Sequence, residues 1–344
     1  YENTGSDFEE DVAASSALTD VFDSSAAWGD YDNDGDLDIL FTGADNSFIR
    51  HSSVFENTGS GFAEVSASSV LTGVSNGSVA WGDYDNDGDL DILLTGYDGS
   101  RKLSNVFENT GSGFLEDIAA SSVLTGVSPS NVAWGDYDND GDLDILLTGS
   151  DSEFNSVSSV FVNTGSGFIE DVAVKSVLSG IYGHSAAWGD YDNDGDLDIL
   201  LTGYDGSNEV SSVYRNDGTT INTPPSPPTS LSSAVQNQQV RLSWSPPSPL
   251  TYTTPYTALT YNLRVGSAPG LGDILPPMSC VGACGISPDG YNQLPAMGAA
   301  NHGLSATLNL PSGTYYWSVQ AVDHTFTGSP WACLLYTSDA ADDN

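Results

Sequence analysis

Positive charge is almost missing from this chain: 7 Lys and Arg face 47 Asp and Glu, a net charge of −40 at pH 7. With no basic stripe to neutralise phosphates, nucleic acid is excluded as a partner. Cysteine is nearly as scarce, with Cys280 and Cys284 in SCVGACG and Cys333 alone. The chain therefore carries no disulfide framework; a bond between the first two is one reading of their spacing, and two free thiols in a loop is the other. No apolar run reaches the ~18 residues of a membrane span. H-E-x-x-H and P-loop signatures are lacking, so a non-catalytic protein is expected. His51, His184, His302 and His324 are unrelated to one another in context and read as surface or locally bonded imidazoles. No signal peptide is visible; the chain opens at Tyr1 with YENTG, matching FENTG at Phe55 and Phe107, and is expected to begin inside a repeat with its true N-terminus upstream.

What is abundant is aspartate, in one pattern. WGDYDNDGDLDIL occurs unchanged from Trp28, Trp81, Trp134 and Trp188, each copy with five aspartates at alternate positions. Residues 1–216 hold 40 acidic side chains against 5 basic ones. Two carboxylates about 4 Å apart repel by roughly 1 kcal/mol in water and about 4 kcal/mol at an effective dielectric near 20, so such a ring needs a counter-charge. With no His or Cys in the string, the donors are all oxygen, which points to a hard cation, and a flexible many-ligand loop favours calcium over magnesium. Four ions are expected, one per loop. An EF-hand also begins D-x-D-x-D-G but needs a bidentate Glu at its twelfth position. Phe41, Leu94, Leu147 and Leu201 stand there instead, between strand-like flanks.

The strings recur with periods of 53, 53 and 54 residues, the spacing of a propeller or solenoid. One unit reads as four short strands over 78–82, 91–96, 106–110 and 113–119, with NTGSG turning the last pair. Trp28, Trp81, Trp134 and Trp188 are expected to pack between blades.

D-x-D-x-D-G-x-x-D between two strands, repeating every fifty-odd residues beside a Phe/Gly-rich hairpin, resembles the FG-GAP (VCBS-type) repeat of integrin α-subunit propellers and of many secreted bacterial proteins. The resemblance covers about residues 1–216 and implies an all-β fold, part of a seven-bladed β-propeller with calcium in several blades. It implies side-chain ligation by Asp30, Asp32, Asp34 and Asp38 with the Asp36 carbonyl. The equivalent sets are Asp83, Asp85, Asp87, Asp91 and Asp89; Asp136, Asp138, Asp140, Asp144 and Asp142; and Asp190, Asp192, Asp194, Asp198 and Asp196. Four loops and a leading half-unit do not make seven blades, so further blades are expected upstream.

Residues 217–229 are rich in Pro, Thr and Ser and read as a stiff, extended linker. Beyond it, 230–235, 240–244, 259–265, 305–310 and 314–322 alternate as strands of an immunoglobulin-like β-sandwich. Trp244 and the TYYWSVQAVD stretch look like a fibronectin type III domain over about 230–332, with a Gly/Pro-rich insertion at 266–300. Residues 333–344, CLLYTSDAADDN, fit neither domain and are read as a non-native-looking tail.

A meander places the acidic loops and NTGSG hairpins at one face of the propeller. The copies differ at the other face, in 44–53, 97–105, 150–159 and 204–212, which hold Arg50, His51, Arg101 and Lys102, and in the 181–185 segment with His184. Arg50, Arg101, Lys102 and His184 are candidate ligand-binding residues; drift in loops without a packing role is the alternative. The expected function is a calcium-binding recognition or adhesion module, extracellular or at the cell surface, whose partner is a protein or a glycan. Alternatives are a lectin-like propeller, or a targeting appendage of an extracellular hydrolase.

Overall fold

A computed structural model describes residues 2–3, 8–236, 239–248, 254–277 and 296–338. Cys280 and Cys284 lie outside them, as does the side chain of His184. Four antiparallel sheets follow one another along the first two-thirds of the chain. The first blade runs Phe22–Gly29, Asp38–Ala44, Arg50–Asn57 and Phe62–Glu64; the second Val79–Gly82, Asp91–Tyr97, Lys102–Asn109 and Phe114–Glu116. The third comprises Ser130–Gly135, Asp144–Ser150, Ser156–Asn163 and Phe168–Glu170. The fourth has three strands, Tyr182–Gly189, Asp198–Tyr204 and Glu209–Tyr214, one fewer than the four-strand unit expected from the sequence. In every blade the strands pair in sequence order, and the acidic string joins the first to the second.

The DIL(L/F)TG strand is buried along its whole length in the first and third blades, as a strand packed on both faces must be. The outer strand is shorter than expected. In the second and third blades it gives way to helices Ile118–Val123 and Val172–Val177. Asp117 and Asp171 cap them, accepting from the amides of Ala120 and Val174. Val65 holds that position in the first blade; with no side-chain oxygen to offer, it is followed by a 3₁₀ turn, Ser66–Val70.

Neighbouring blades meet through one repeated joint. The tyrosine of each string stacks on the tryptophan of the next: Tyr31 on Trp81, Tyr84 on Trp134 and Tyr137 on Trp188, with ring centroids 6.1–6.4 Å apart. The expectation of inter-blade tryptophans holds for these three, which are 3–5% exposed. Trp28 is 60% exposed, because no described blade stands before it. At the far end Leu200 and Val213 are 47% and 57% exposed, whereas their counterparts Leu40, Leu93, Leu146, Val54, Val106 and Val160 are fully buried. The row of described blades is open at both ends.

The second domain is a sandwich of two three-stranded sheets. Thr229–Gln236, Gln239–Ser245 and Ser305–Asn309 form one; Thr260–Gly266, Gly313–Val322 and Ala332–Ser338 form the other. Trp244, Tyr261 and Trp317 fill the space between them, and the Tyr315 hydroxyl donates to Pro311 O at 2.7 Å, closing a tyrosine corner. One expectation is corrected. Residues 333–338 are part of the sandwich: Ala332–Ser338 pairs along Gly313–Val319, because CLLYTS is a β-prone run beside an open sheet edge. The 217–229 segment, expected as a stiff, extended linker, has no helix or strand before Thr229 and is tied down along its length. Asn222 is buried and donates to Asp323 Oδ2 and Thr325 Oγ1 of the sandwich, and Thr220 O accepts from Asn139 of the third acidic loop.

The Trp packing makes a steric prediction. A methyl group on Gly82 would lie 2.6 Å from Trp134 Cδ1, whereas Gly189 has nothing within 4 Å of its hypothetical Cβ. Gly82→Ala is expected to destabilise the protein by about 1–3 kcal/mol, and Gly189→Ala to be neutral or slightly stabilising. Urea unfolding of the two variants checks this, and equal midpoints would contradict it.

Candidate metal centres

The acidic string folds into a ring because its own amides turn inward. Asp30 accepts from the amides of Asp34 and Gly35 at 3.0 Å, one on each oxygen. Asp83 repeats both bonds in the second loop, and Asp136 and Asp190 do so in the third and fourth. Gly35 sits at φ +99°, a backbone conformation strained for any side chain. At the other end of the string, Asp38 accepts from the amides of Tyr31 at 3.0 Å and Asn57 at 2.7 Å. Asn57 opens the NTGSG hairpin, so that hairpin and the acidic loop share one end of the blade. Asp91, Asp144 and Asp198 are held in the same way.

These bonds bring carboxylates together. Oxygens of Asp30, Asp32 and Asp38 lie within 4.8 Å of one another, as do those of Asp83, Asp85 and Asp91, and of Asp136, Asp138 and Asp144. In the fourth loop the group is Asp190, Asp192 and Asp194. Three of the four expected side-chain ligands thus converge in each loop. Asp34, Asp87 and Asp140 stand beside the first three groups, each with one oxygen accepting from the amide two residues on. Two ligands bound to one ion at about 2.4 Å are at most about 4.8 Å apart, so the separations fit a single oxygen-bound cation. The donor chemistry fits as well. Asp138 Oδ1 and Asp192 Oδ1, at the third position of their loops, are buried without a hydrogen-bond partner, a costly condition that a cation relieves.

A residue type that the sequence reading passed over links one loop to the next. Asn33, Asn86 and Asn139 take left-handed backbone conformations, with φ of 59–65°. Their side-chain amides donate to the carboxylate at the seventh position of the following loop: Asn33 to Asp89 at 2.9 Å, Asn86 to Asp142 at 2.7 Å and Asn139 to Asp196 at 2.6 Å. The hairpin asparagines return the connection, since Asn109, Asn163 and Asn216 donate to the carbonyls of Tyr31, Tyr84 and Tyr137 in the preceding loop. The Asn in Y-D-N-D-G was visible in all four copies, but its partner lies 56 residues away in the first pair.

The candidate ligand-binding residues stand at the opposite end of the sheets, and two of them join blades. The Arg50 guanidinium lies over Tyr97 of the second blade, 5.1 Å from the ring centroid. Lys102 Nζ donates to Ser150 O at 3.0 Å and lies over Phe154 of the third blade. His51 meets Asp45 at 3.3 Å, and Arg101 is exposed, with Asp98 at 3.4 Å. Arg101 and Lys102 also border a polar surface cavity with Glu116. His184 lies in the strand Tyr182–Gly189. Of the two readings given for the histidines, surface or locally bonded, His324 is not at the surface: it is buried, with Nδ1 3.0 Å from Gly141 O of the third loop. Thr257 likewise donates to Asn86 O at 2.7 Å, so the sandwich rests on the acidic end of the blades.

Crowding marks the titration of the loops. Burial, with the charges of Asp34 and Asp32 added, pushes Asp30 up to about 6. Burial lifts Asp38 to about 7, Asp83 and Asp136 to about 8 and Asp144 to about 9. The metal-free native state therefore holds protons that the unfolded chain, with ordinary carboxylates, releases above pH ~4. Its stability must fall as pH rises from about 4 to 8, and a bound cation, which replaces those protons, must flatten or reverse the trend. Urea midpoints in EDTA at pH 5 and pH 8 test this; a midpoint unchanged or higher at pH 8 would contradict it.

An FG-GAP-like repeat model matches residues 30–94, 83–147 and 144–201, together half of the chain. Among solved structures, the extracellular domain of a putative hybrid two-component system from B. thetaiotaomicron is similar at 13% identity and a TM-score of 0.33, over 90% of this chain. This chain spans 37% of that domain's length. Chicken CNTN1 FN1-FN3 domains align at 15% identity, over 72% of this chain and 78% of that one, with a TM-score of 0.25. An Aleuria aurantia lectin mutant in complex with alpha-methyl-L-fucoside aligns at 10%, over 94% and 99%, with a TM-score of 0.36. No curated protein matches the chain. Four strand-bounded acidic loops, one to a blade, and three matched repeats lead to one assignment: the chain belongs to the FG-GAP-like repeat family.

Proposed function

We propose that residues 1–216 form a non-catalytic, calcium-binding recognition module of a secreted or cell-surface protein. The observation that carries this reading is the convergence of three carboxylates in each of four loops, with buried oxygens left unpartnered at the third position of two of them. Calcium suits the site better than magnesium. Magnesium demands near-octahedral order and keeps several of its waters, whereas calcium accepts six to eight oxygens in irregular arrangements. The aspartates of the four strings are accounted for as ring members, so their abundance is no sign of acid–base work. Extracellular placement follows from calcium demand, since open modules of this kind fill at about 10⁻⁴–10⁻³ M.

Recognition falls to the opposite end of the sheets, where the blades differ in sequence. Arg101 is the basic side chain most available there, at 73% exposure, while Arg50 and Lys102 brace neighbouring blades. The partner, an extracellular protein or a glycan, meets a strongly acidic surface on which this small basic cluster is the distinguishing feature.

Calcium binding only to folded blades must raise their stability, by about 2.7 kcal/mol for a site at a hundred times its dissociation constant. Calorimetric scans in calcium and in EDTA are expected to separate, with the propeller transition moving up and the sandwich transition moving far less. Superimposable scans would refute the calcium assignment.

A further inference from the structure

We propose that Arg215 makes the fourth loop the weakest of the four cation sites, acting as a tethered positive charge that an arriving ion must displace. This rests on the calcium reading above and concerns how four identical strings come to differ. The fourth string matches the other three residue for residue. The difference comes from the third strand of the blade, which ends beside the loop. Tyr214 pairs with Ile199 as Phe55 pairs with Ile39, so Arg215 occupies the place of Glu56, Glu108 and Val162.

The guanidinium reaches into the acidic ring. Its Nε lies 3.0 Å from Asp192 Oδ2, and its Nη2 lies 3.7 Å from Asp194 Oδ2 and 2.6 Å from Asp217 Oδ1. Asp192 and Asp194 are two of the three carboxylates that converge in this loop. The ring itself is altered: the ninth-position aspartate completes the group in the other three loops, whereas Asp198 is outside it here and Asp194 takes its place. A cation entering the fourth loop therefore meets carboxylate oxygens already bonded to a fixed charge, and a like charge that stays close after it yields. The second loop shows the opposite arrangement, with the Glu108 charge acting on Asp85. Arg215 is half exposed, so it can swing aside, and the site is weakened rather than abolished. The expected penalty is about three- to tenfold in affinity at low ionic strength, shrinking as salt screens the pair.

Each loop carries its own reporter. The amides of Gly35, Gly88, Gly141 and Gly195 donate to the first aspartate of their rings, so their nuclear magnetic resonances read the loops separately. In a calcium titration of the whole chain, Gly195 is expected to reach half-saturation at about three- to tenfold higher calcium than the other three glycines. Arg215→Val, the side chain of the third blade, should bring Gly195 into line with them, and Arg215→Glu should tighten it further. Asp192→Asn, which leaves Arg215 in place, should weaken the Gly195 response and leave the other three unchanged. Coincident Gly195 curves for wild type and Arg215→Val would overturn the proposal, as would a Gly195 response as tight as the others in the wild type. A wild-type protein in which none of the four resonances responds to calcium would instead overturn the calcium reading itself.

Discussion

Repulsion among carboxylates is the constraint on which the propeller domain depends. Each string packs five aspartates into nine residues, and the fold spends its loop amides, its hairpin asparagines and its glycine turn on holding them close. Hydrogen bonds from amides lower the cost of such a ring but do not remove it, which is why burial still drives Asp38, Asp83 and Asp136 far above the ordinary carboxylate range. On the calcium reading proposed above, a divalent cation converts that cost into cohesion. The asparagine of one loop grips the seventh-position aspartate of the next, and the tyrosine of one string stacks on the tryptophan of the next. An ordered loop therefore orders the joint beside it, so charge neutralisation and blade packing are two sides of one interface.

Much of this was legible in the sequence, because the relevant signals are local. The spacing of aspartates, the Gly at the turn and the apolar DIL(L/F)TG run all act within one blade, and the strands of the sandwich announce themselves by alternation. The features that escaped depend on partners remote in the chain. The role of Asn33 is fixed by Asp89. That of His324 is fixed by Gly141. The Pro-rich segment reads as a stiff linker from its composition, and that Asn222 within it is held by Asp323 and Thr325 is a pairing no composition shows. Residues 333–338 have no domain signature of their own and became a strand because an edge was waiting for them. Arg50 and Lys102, singled out as rare charges at a variable face, turn out to brace one blade against the next, while Arg101 remains turned to solvent.

Identity of sequence within the loops does not make them identical sites. The second and third lie between neighbouring blades, while the first and fourth lie at the open ends of the row, the fourth with Tyr191 exposed and Arg215 in its ring. On the proposed reading, the string defines what each site binds and the residues around it set how tightly. The sandwich adds a third contact layer, resting Thr257 and His324 on the second and third loops.

The central claim is that cations hold the blades to one another and do not merely fill their loops. Hydrogen exchange on the central strands Asp91–Tyr97 and Asp144–Ser150, in calcium and in EDTA, tests it most directly. The account predicts that removing calcium lowers protection in these strands together with the loops. Protection lost in the loops alone, with both strands unchanged, would contradict it.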